Sequence, residues 1–501
     1  MKARFRSTQW FKFTGVSIAV LLSMQSPMVQ ADLGEIEFSN ALESAAAIAN
    51  QQTYARLLLA GCTDFQRVES ESCSGDTFTL FSNVRELVHT ANVLLGSDGP
   101  TQFSLDLDVE NLGFALRWTA GEEFASQSGL TDEFVGGQLA NLSARLKALR
   151  GGAQGFGVAF NSFGDSGSLA TNSDYQRLSG GGASADQGES VGYSRWGGFI
   201  NADLGSGAKS ATVFEDAYDF EGTKISFGLD YRFDEHWVFG VIGAVIDQEI
   251  EFDSTQSVVD GGIETDGFSL MPYFLYQTDE FYASFSLGLQ NQDIDMSRAI
   301  KYPSLNPNVG NVDTIAISRT DASVNSLFIE VGYSYQYEGF VVEPFVSVSS
   351  TNTTIDGFSE DDINNDGFDL DVGKQSIDSL ETSIGIKLQY AWTPSWGVVV
   401  PFFDIQSHNQ HEDDSRNIST AFANLPSGQL DAVNFNLPTD EIDSSYYSYS
   451  LGMSFIIQGD TQVDADGNAS GSMQGFISYR SVENIANFEE DSVTLGFRYG
   501  F

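Results

Sequence analysis

Apolar and polar residues alternate with a period of two through the C-terminal part of the chain, from Tyr193 onward. In the segment 225–233, large apolar residues alternate with Ser, Gly, Asp and Arg, and the segments 327–337, 383–392 and 447–457 repeat the pattern. Strict alternation indicates β-strands with one apolar and one polar face. Many runs exceed the about five or six residues usual in soluble sheets. We count twelve runs, near 194–204, 217–233, 237–252, 264–277, 281–297, 313–336, 340–356, 376–392, 396–409, 443–458, 472–485 and 490–501.

The connections between these runs alternate in length, which is typical of outer-membrane barrels. Tight turns occur at 233–236, 278–280, 337–339 and 393–395, and longer acidic connections at 205–216, 253–263, 298–312, 357–375 and 410–442. Two connections break the pattern, because 459–471 is long on the turn side and 486–489 is short on the loop side.

Aromatic residues flank the tight turns, as in the pairs Tyr231 and Trp237, and Trp392 and Trp396. Such rings favour the interface between lipid and water. A soluble β-sandwich is the alternative, but it requires neither these rings nor one-sided loop lengths. The pattern therefore predicts a mainly-β fold, an antiparallel transmembrane β-barrel of about twelve strands over 193–501, preceded by a small α-helical region and a Gly/Ser-rich linker.

Three segments precede the predicted barrel. The segment 1–31 has a basic start, a short apolar run and small residues before Asp32, which predicts a cleavable export signal. The segment 32–150 is helix-like, and 151–192 is a Gly/Ser-rich linker or a segment that threads the lumen. Helical spacing joins two sets of residues: Leu105, Val109, Leu112 and Leu116, and then Leu139, Leu142, Leu146 and Leu149.

Several motifs resemble the translocator domain of autotransporters, the type V secretion family. They lie at 195–201, 218–220, 228–233, 237–240 and 498–501, in the order of that family. The segments 139–150 and 181–186 resemble what precedes the barrel in a subgroup with a short exported portion.

The resemblance implies a twelve-stranded barrel that helps its own N-terminal segment reach the cell surface. The terminal strand resembles the signal read by the barrel-assembly machinery, with Phe497, Tyr499 and Phe501 on one face. The passenger position holds only about 120 residues and no β-helix repeat, which argues against a secreted enzyme or a long adhesin stalk.

The net charge limits the class of partner, and the cysteine content predicts a disulfide. The chain has 24 basic and 69 acidic residues, a net charge of −45, so a nucleic-acid partner would be repelled. Cys62 and Cys73 are the only cysteines, and their spacing in an exported chain predicts a local disulfide.

Few motifs indicate chemistry. Asp362, Asn364 and Asp366, followed by Gly367, match the first half of a calcium loop, but position twelve is Gly373 instead of glutamate. A weak Ca²⁺ site and a merely solvated acidic loop both remain open. His408 and His411 are three apart, but a solvated loop is favoured over a metal site. Ser166 within 164–167 resembles a nucleophile motif but has linker composition around it, so no catalytic residues are proposed.

Charged residues at polar strand positions should face a wet lumen and pair there. These residues are Asp230, Arg232, Glu330, Lys387, Arg480 and Arg498. The sequence thus predicts a non-enzymatic, monomeric barrel in outer-membrane lipid, with loops at the cell surface and no cofactor beyond weak Ca²⁺ binding. It would support export and display of its own N-terminal segment. The alternatives are a plugged pore and a translocator of an enzymatic passenger.

Overall fold

The computed structural model describes most of the chain after Asp32. The described residues are 32–38, 40–127, 155–160, 196–252, 260–337, 339–364, 367–392, 397–412, 414–425, 433–441, 443–457 and 472–500, with the single residues 139, 142, 146 and 394. The expected export signal 1–31, most of the linker 151–192, the ends of the helix expected near 131–150, and the motif 164–167 lie outside the described residues.

Twelve long strands form a closed antiparallel ring within the described part of the chain. Neighbours along the chain pair with each other, β12 pairs with β1, and β6 pairs directly with β7. The strands are β1 (Trp196–Lys209), β2 (Tyr218–Arg232), β3 (Trp237–Phe252), β4 (Gly261–Gln277), β5 (Phe281–Tyr302), β6 (Val312–Tyr333), β7 (Phe340–Ile355), β8 (Gln375–Tyr390), β9 (Gly397–Gln410), β10 (Ser445–Ile457), β11 (Ser472–Glu483) and β12 (Phe488–Gly500). The predicted fold class and strand number are confirmed.

The seam between the first and last strands differs from the others. β12 pairs with β1 only where 488–490 lies opposite 207–209. A short strand, Gly155–Phe160, runs parallel to 197–202 of β1, in the segment expected to be linker.

Along β2, polar side chains face the inside of the ring and apolar side chains face the outside. On β2, Lys224 and Asp230 are each 3% exposed, whereas Phe227 is 55% and Leu229 is 48% exposed. Large apolar side chains are also exposed on other strands, as at Phe268, Phe274, Phe285, Leu287, Leu289, Ile384, Tyr447 and Leu451. An aqueous fold would bury these apolar side chains, so the outer surface is suited to lipid and the inner one to water.

The apolar outer face covers only the part of each strand next to the tight turns, which we call the turn end. Further along, toward the loop end, four neighbouring strands each carry an aspartate at the same outward level. Asp247 on β3 lies opposite Asp266 on β4, which lies opposite Asp293 on β5, which lies opposite Asp321 on β6. This carboxylate row marks where the lipid-facing surface stops.

Strand pairing continues beyond the carboxylate row. β1 extends to Lys209 and β5 to Tyr302, past the predicted ends at 204 and 297. The predictions were short because apolar alternation ends at the lipid boundary, whereas the backbone ladder does not depend on side-chain polarity.

Residues 32–127 form a small helical domain, which we call the cap. It contains 3₁₀ turns Leu33–Glu35 and Glu122–Ala125 and helices α1 (Ala41–Ala60), α2 (Asp76–Leu95) and α3 (Val109–Ala120). Leu105 was expected in the helix of Val109, but Asp106 has a positive φ of 59° and the Asp108 carboxylate caps α3 by accepting from the Asn111 N–H. No helix among the described residues is long and apolar enough to cross a membrane.

Loops at the loop end form a second, four-stranded sheet, which we call the loop sheet. Its strands are Phe358–Ser359, Leu370–Val372, Asn417–Phe422 and Asn434–Pro438. Two more short strands, Asp361–Asp362 and Tyr335–Tyr337, pair with β6 and β7. The loop sheet and the cap share one apolar core, in which Leu370, Phe422 and Phe435 are buried in the same cluster as Leu80 and Phe124.

Candidate functional site: the lumen and its cap

Buried charges on the inner wall have partners. Glu330 accepts from the Tyr282 hydroxyl at 2.8 Å, and its Oε1 lies 3.7 Å from Lys387 Nζ. Asp230 accepts from the Tyr273 hydroxyl at 3.3 Å. Arg480 Nη1 lies 3.8 Å from Glu490 Oε1, Arg232 is partly buried, and the Arg498 side chain lies outside the described set.

Three leucines from the segment before the barrel lie against this wall. Leu142 and Leu146 are buried and Leu139 is partly buried, all in one cluster with residues of the barrel wall. The wall residues are Val238, Ile242, Met271, Tyr273, Leu275, Tyr282, Phe328 and Phe345. Val238, Leu275 and Tyr282 adjoin tight turns, so the leucines lie toward the turn end of the lumen.

The last described residue of the cap lies at the opposite end of the barrel from these leucines. Gln127 is the last described residue of the cap, and its Oε1 accepts from Gln375 Nε2 at 3.0 Å. Gln375 is the first residue of β8, at the loop end. Gln127 therefore lies at the loop end of the barrel, whereas Leu142 lies toward the turn end.

A buried arginine of β5 joins the barrel to the cap. Arg298 is 1% exposed, and its Nε donates to Glu360 Oε1 at 2.8 Å. Its Nη1 donates to the carbonyl of Trp118 in α3 at 2.9 Å. Its Nη2 donates to the carbonyl of Phe368 at 3.2 Å. One guanidinium thus connects a barrel strand, a loop and a cap helix.

Two further arginines bridge the same interface. Arg117 of α3 donates to both carboxylate oxygens of Glu122 at 2.9 Å, and to Asp216, in the β1–β2 loop, at 3.0 Å. Arg416 donates to the carbonyl of Ala125 at 3.0 Å. Such charge-assisted contacts orient the two parts as well as attract them.

The acidic residues at the interface are strongly desolvated. Glu123 is 2% exposed, and neither of its carboxylate oxygens has a hydrogen-bond partner within the described residues. Burial raises the pKa of Glu123 to about 8, opposed by Arg298. Burial, with added repulsion from Asp216, also raises the pKa of Glu122 well above its usual range, although Arg117 opposes it.

Comparison with known proteins places the barrel in a family. The family model of the autotransporter beta-domain matches residues 198–468. The chain belongs to this family. Autotransporter β-domains are outer-membrane barrels of type V secretion, so the chain is an outer-membrane protein.

Individual relatives are distant. Esterase EstA of Pseudomonas aeruginosa and its namesake of Pseudomonas putida are each 23% identical over 268 residues, which is 52% of this chain and 38% of theirs. This chain therefore matches well under two thirds of the length of those relatives. Among solved structures, the translocator domain of autotransporter NalP from Neisseria meningitidis is 11% identical, with a TM-score of 0.42, and covers 62% of this chain and 90% of its own. The beta domain of the Bordetella autotransporter BrkA is 14% identical, with a TM-score of 0.37, and covers 62% of this chain and 100% of its own.

The autotransporter β-domain also carries an inner-wall array that the sequence did not indicate. His408 Nδ1 lies 3.0 Å from Glu381 Oε1, and His408 Nε2 lies 2.9 Å from Ser448 Oγ. The Tyr446 ring stacks on the imidazole at 4.4 Å and its hydroxyl donates to Glu381.

The acid, the histidine and the hydroxyl stand in the order of a hydrolase triad, and their contacts pair polar groups of the inner wall with one another. Strand register alone brings these residues together, since β8, β9 and β10 are neighbours.

The structure bears differently on the two candidate metal sites, the histidine pair and the calcium-like loop. His411 Nε2 contacts Thr382 Oγ1 at 2.9 Å, whereas His408 lies on the inner wall. No cluster of three metal-ligating side chains occurs among the described residues. Asp362 is buried, and its Oδ1 accepts from the Asn364 N–H at 2.9 Å and from Thr314. Asp366 lies outside the described set, so calcium binding stays a prediction.

The cap has its own internal brace. Cys62 and Cys73 are joined in a disulfide, which closes the loop after α1. Asp64 in that loop accepts from the Tyr54 hydroxyl, and Arg85 donates to the Gln66 carbonyl at 2.5 Å. His89 is buried beneath it, and its Nδ1 accepts from the Phe103 N–H at 3.2 Å. The brace fixes the loop to α1 and α2.

Proposed function

We propose that this autotransporter β-domain exports its own N-terminal helical domain and displays it at the cell surface. The observation that carries the proposal is where three described parts of the chain lie along the barrel. The cap packs on the loop end, whereas β1 begins at Trp196, opposite Tyr231 beside a tight turn. Leu142 and Leu146, which come between the cap and β1 in the sequence, are buried against the inner wall toward the turn end. These positions support passage of the helical domain through the lumen during export.

The remaining parts of the proposal follow the same scheme. The segment 1–31 directs export and is removed. The last strand, with Phe497, Tyr499 and Phe501, is read by the barrel-assembly machinery, because an alternating edge strand can add to an open sheet. The barrel works as a monomer in outer-membrane lipid, and its activity involves no chemical step.

Cysteine labelling of intact cells tests the orientation. We would introduce Glu110→Cys on the exposed side of α3, Asn308→Cys in a long loop and Asp279→Cys in a tight turn, all at exposed positions. The native cysteines are paired and do not react. With a membrane-impermeant maleimide, the Glu110→Cys and Asn308→Cys variants should react on intact cells, and the Asp279→Cys variant only after permeabilisation. Labelling of Asn308→Cys without labelling of Glu110→Cys would refute display of the cap.

A plugged pore is the second candidate, favoured by the polar inner wall. It predicts that removing packing at Leu142 opens a conducting path, as developed below. Export and pore activity therefore differ in what crosses the barrel: a polypeptide once, or solutes repeatedly.

A further inference from the structure

We propose that the cap remains attached after export and permanently closes the loop end of the barrel, rather than being released. This inference rests on the proposed function, because it concerns the fate of the displayed segment.

The loop sheet depends on the cap for its core. Its strands have two to six residues, too short to be stable alone. Leu370, Phe422 and Phe435 are buried in the core that they share with the cap. Without the cap this apolar surface would face water, which soluble surfaces rarely permit. The loops are therefore built to hold a domain.

The cap is held around the rim rather than at one point. The contacts come from four separate barrel loops. Asp216 accepts from Arg117, and Asn306 donates to the Ser104 carbonyl at 2.7 Å. Arg298 joins Glu360 and Phe368 of a third loop to Trp118, and Arg416 of a fourth loop donates to the Ala125 carbonyl. In addition, Thr77 donates to the Asn424 carbonyl at 3.2 Å. A domain fixed at four loops spans the opening.

The exit from the cap is sealed. Residues 121–127 are all buried, and they include Glu123 and Gln127. Proteolytic release needs exposed, flexible backbone. Proteolysis within residues 121–127 would therefore require the cap to leave the barrel first.

Glycine marks the closest approach between loop and cap. Gly367 has φ +81°, and a Cβ there would lie 2.6 Å from the backbone N and 2.9 Å from the Cα of Leu80 in α2. Gly339, in a tight turn, has a similar φ of +88°, but a Cβ there would lie 3.5 Å or more from its neighbours. Alanine at the two sites therefore imposes the same backbone strain, and only Gly367→Ala also pushes against the cap.

The test uses the full-length protein in outer membranes and after purification in detergent. For wild type and Gly339→Ala, we expect the cap to stay with the membrane as part of the intact chain and residues 121–127 to exchange slowly. For Gly367→Ala, we expect at least about tenfold faster hydrogen exchange over 121–127, because the docking contact is weakened.

A second variant addresses the ion pairs. Arg298→Met leaves Glu360 buried without its partner, and should accelerate exchange over 121–127 by about tenfold or more. Arg319→Met is the control, since Arg319 pairs with Asp295 on the exposed outer surface. If Arg298→Met fails to insert, Asp216→Asn probes the Arg117 contact with less disturbance.

Two results would overturn the inference. The first is recovery of the cap from the medium of wild-type cells as a separate fragment, and the second is hydrogen exchange over 121–127 that is as fast in wild type as in Gly367→Ala. Either result leaves the display proposal intact if Glu110→Cys is labelled at the surface, so the two proposals fail separately.

Discussion

Glu123 should make docking of the cap depend on pH. Its pKa is raised from 4.5 to about 8 by burial, with Arg298, Asp216 and Glu360 as the charged groups around it. For an acid, a raised pKa means that the docked state binds the proton more tightly than the undocked state. The contribution of Glu123 to docking is therefore complete below about pH 4.5, decreases as pH rises, and is lost above about pH 8.

The size of this effect follows from the shift. A difference of about 3.5 units at about 1.4 kcal/mol per unit gives an upper limit of about 5 kcal/mol between acidic and alkaline conditions. The slope cannot exceed about 1.4 kcal/mol per pH unit for one proton. Glu122, whose pKa burial also raises, adds in the same direction.

Glu123→Gln keeps the shape and removes the ionisation. We would measure the urea midpoint of cap unfolding and hydrogen exchange over 121–127 in detergent at pH 5, 7 and 9. In the variant, cap stability should depend less steeply on pH, by up to about 1.4 kcal/mol per pH unit. The variant should also be more stable than wild type at pH 9. Glu110→Gln on the exposed face of α3 is the control and should leave the slope unchanged. An identical slope for wild type and Glu123→Gln would show that Glu123 is already ionised in the docked state, and would refute the reasoning.

Three other predictions concern the brace, the lumen and the carboxylate row. Replacing both Cys62 and Cys73 with Ser should destabilise the cap by about 2–4 kcal/mol, because the disulfide restricts the unfolded loop; protease resistance of the cap should fall while heat-modifiability of the barrel on gels stays unchanged. Leu142→Ala should destabilise packing in the lumen by about 2–5 kcal/mol. It should increase bilayer conductance more than Leu139→Ala, which removes a partly buried side chain. Equal conductance of the two variants would mean that Leu142 does not obstruct the lumen. Asp293→Asn should raise the melting temperature of the barrel at low ionic strength and have less effect at high salt, because Asp293 lies between Asp266 and Asp321; a salt-independent difference would contradict charge repulsion as its cause.

The barrel could be predicted because the alternation of residues within each strand reflects what the two faces of that strand contact. Alternation between residues such as Phe227 and Ser226 is a local pattern, and twelve repetitions specify the sheet without any knowledge of tertiary contacts. Strand ends at the loop side could not be predicted in the same way. Beyond Asp293, both faces of β5 contact water or the cap, so the pattern that identifies a lipid-facing strand disappears.

The contacts between the cap and the barrel could not be predicted from the sequence for a different reason. Arg298 and Glu360 are far apart in sequence, and nothing around either residue signals burial. The calcium-like spacing at Asp362 illustrates the same limit. The sequence emphasised its acidic side chains, whereas the structure assigns one Asp362 oxygen to the Asn364 N–H and Thr314. The Glu381, His408 and Ser448 array was missed because strand register, rather than spacing along the chain, brings these residues together.

The carboxylate row has a consequence for where the molecule stands in the cell envelope. Asp247, Asp266, Asp293 and Asp321 set the height of the barrel, because sliding it inward by two residues, roughly 7 Å, would draw four carboxylates toward hydrocarbon. Above that level β5 continues from Asp293 to Tyr302, which is roughly 30 Å along the strand. The strands beyond the carboxylate row thus form a collar as long as the hydrocarbon layer is thick, and the helical domain is seated within this collar, since Arg298, five residues past Asp293, contacts Trp118.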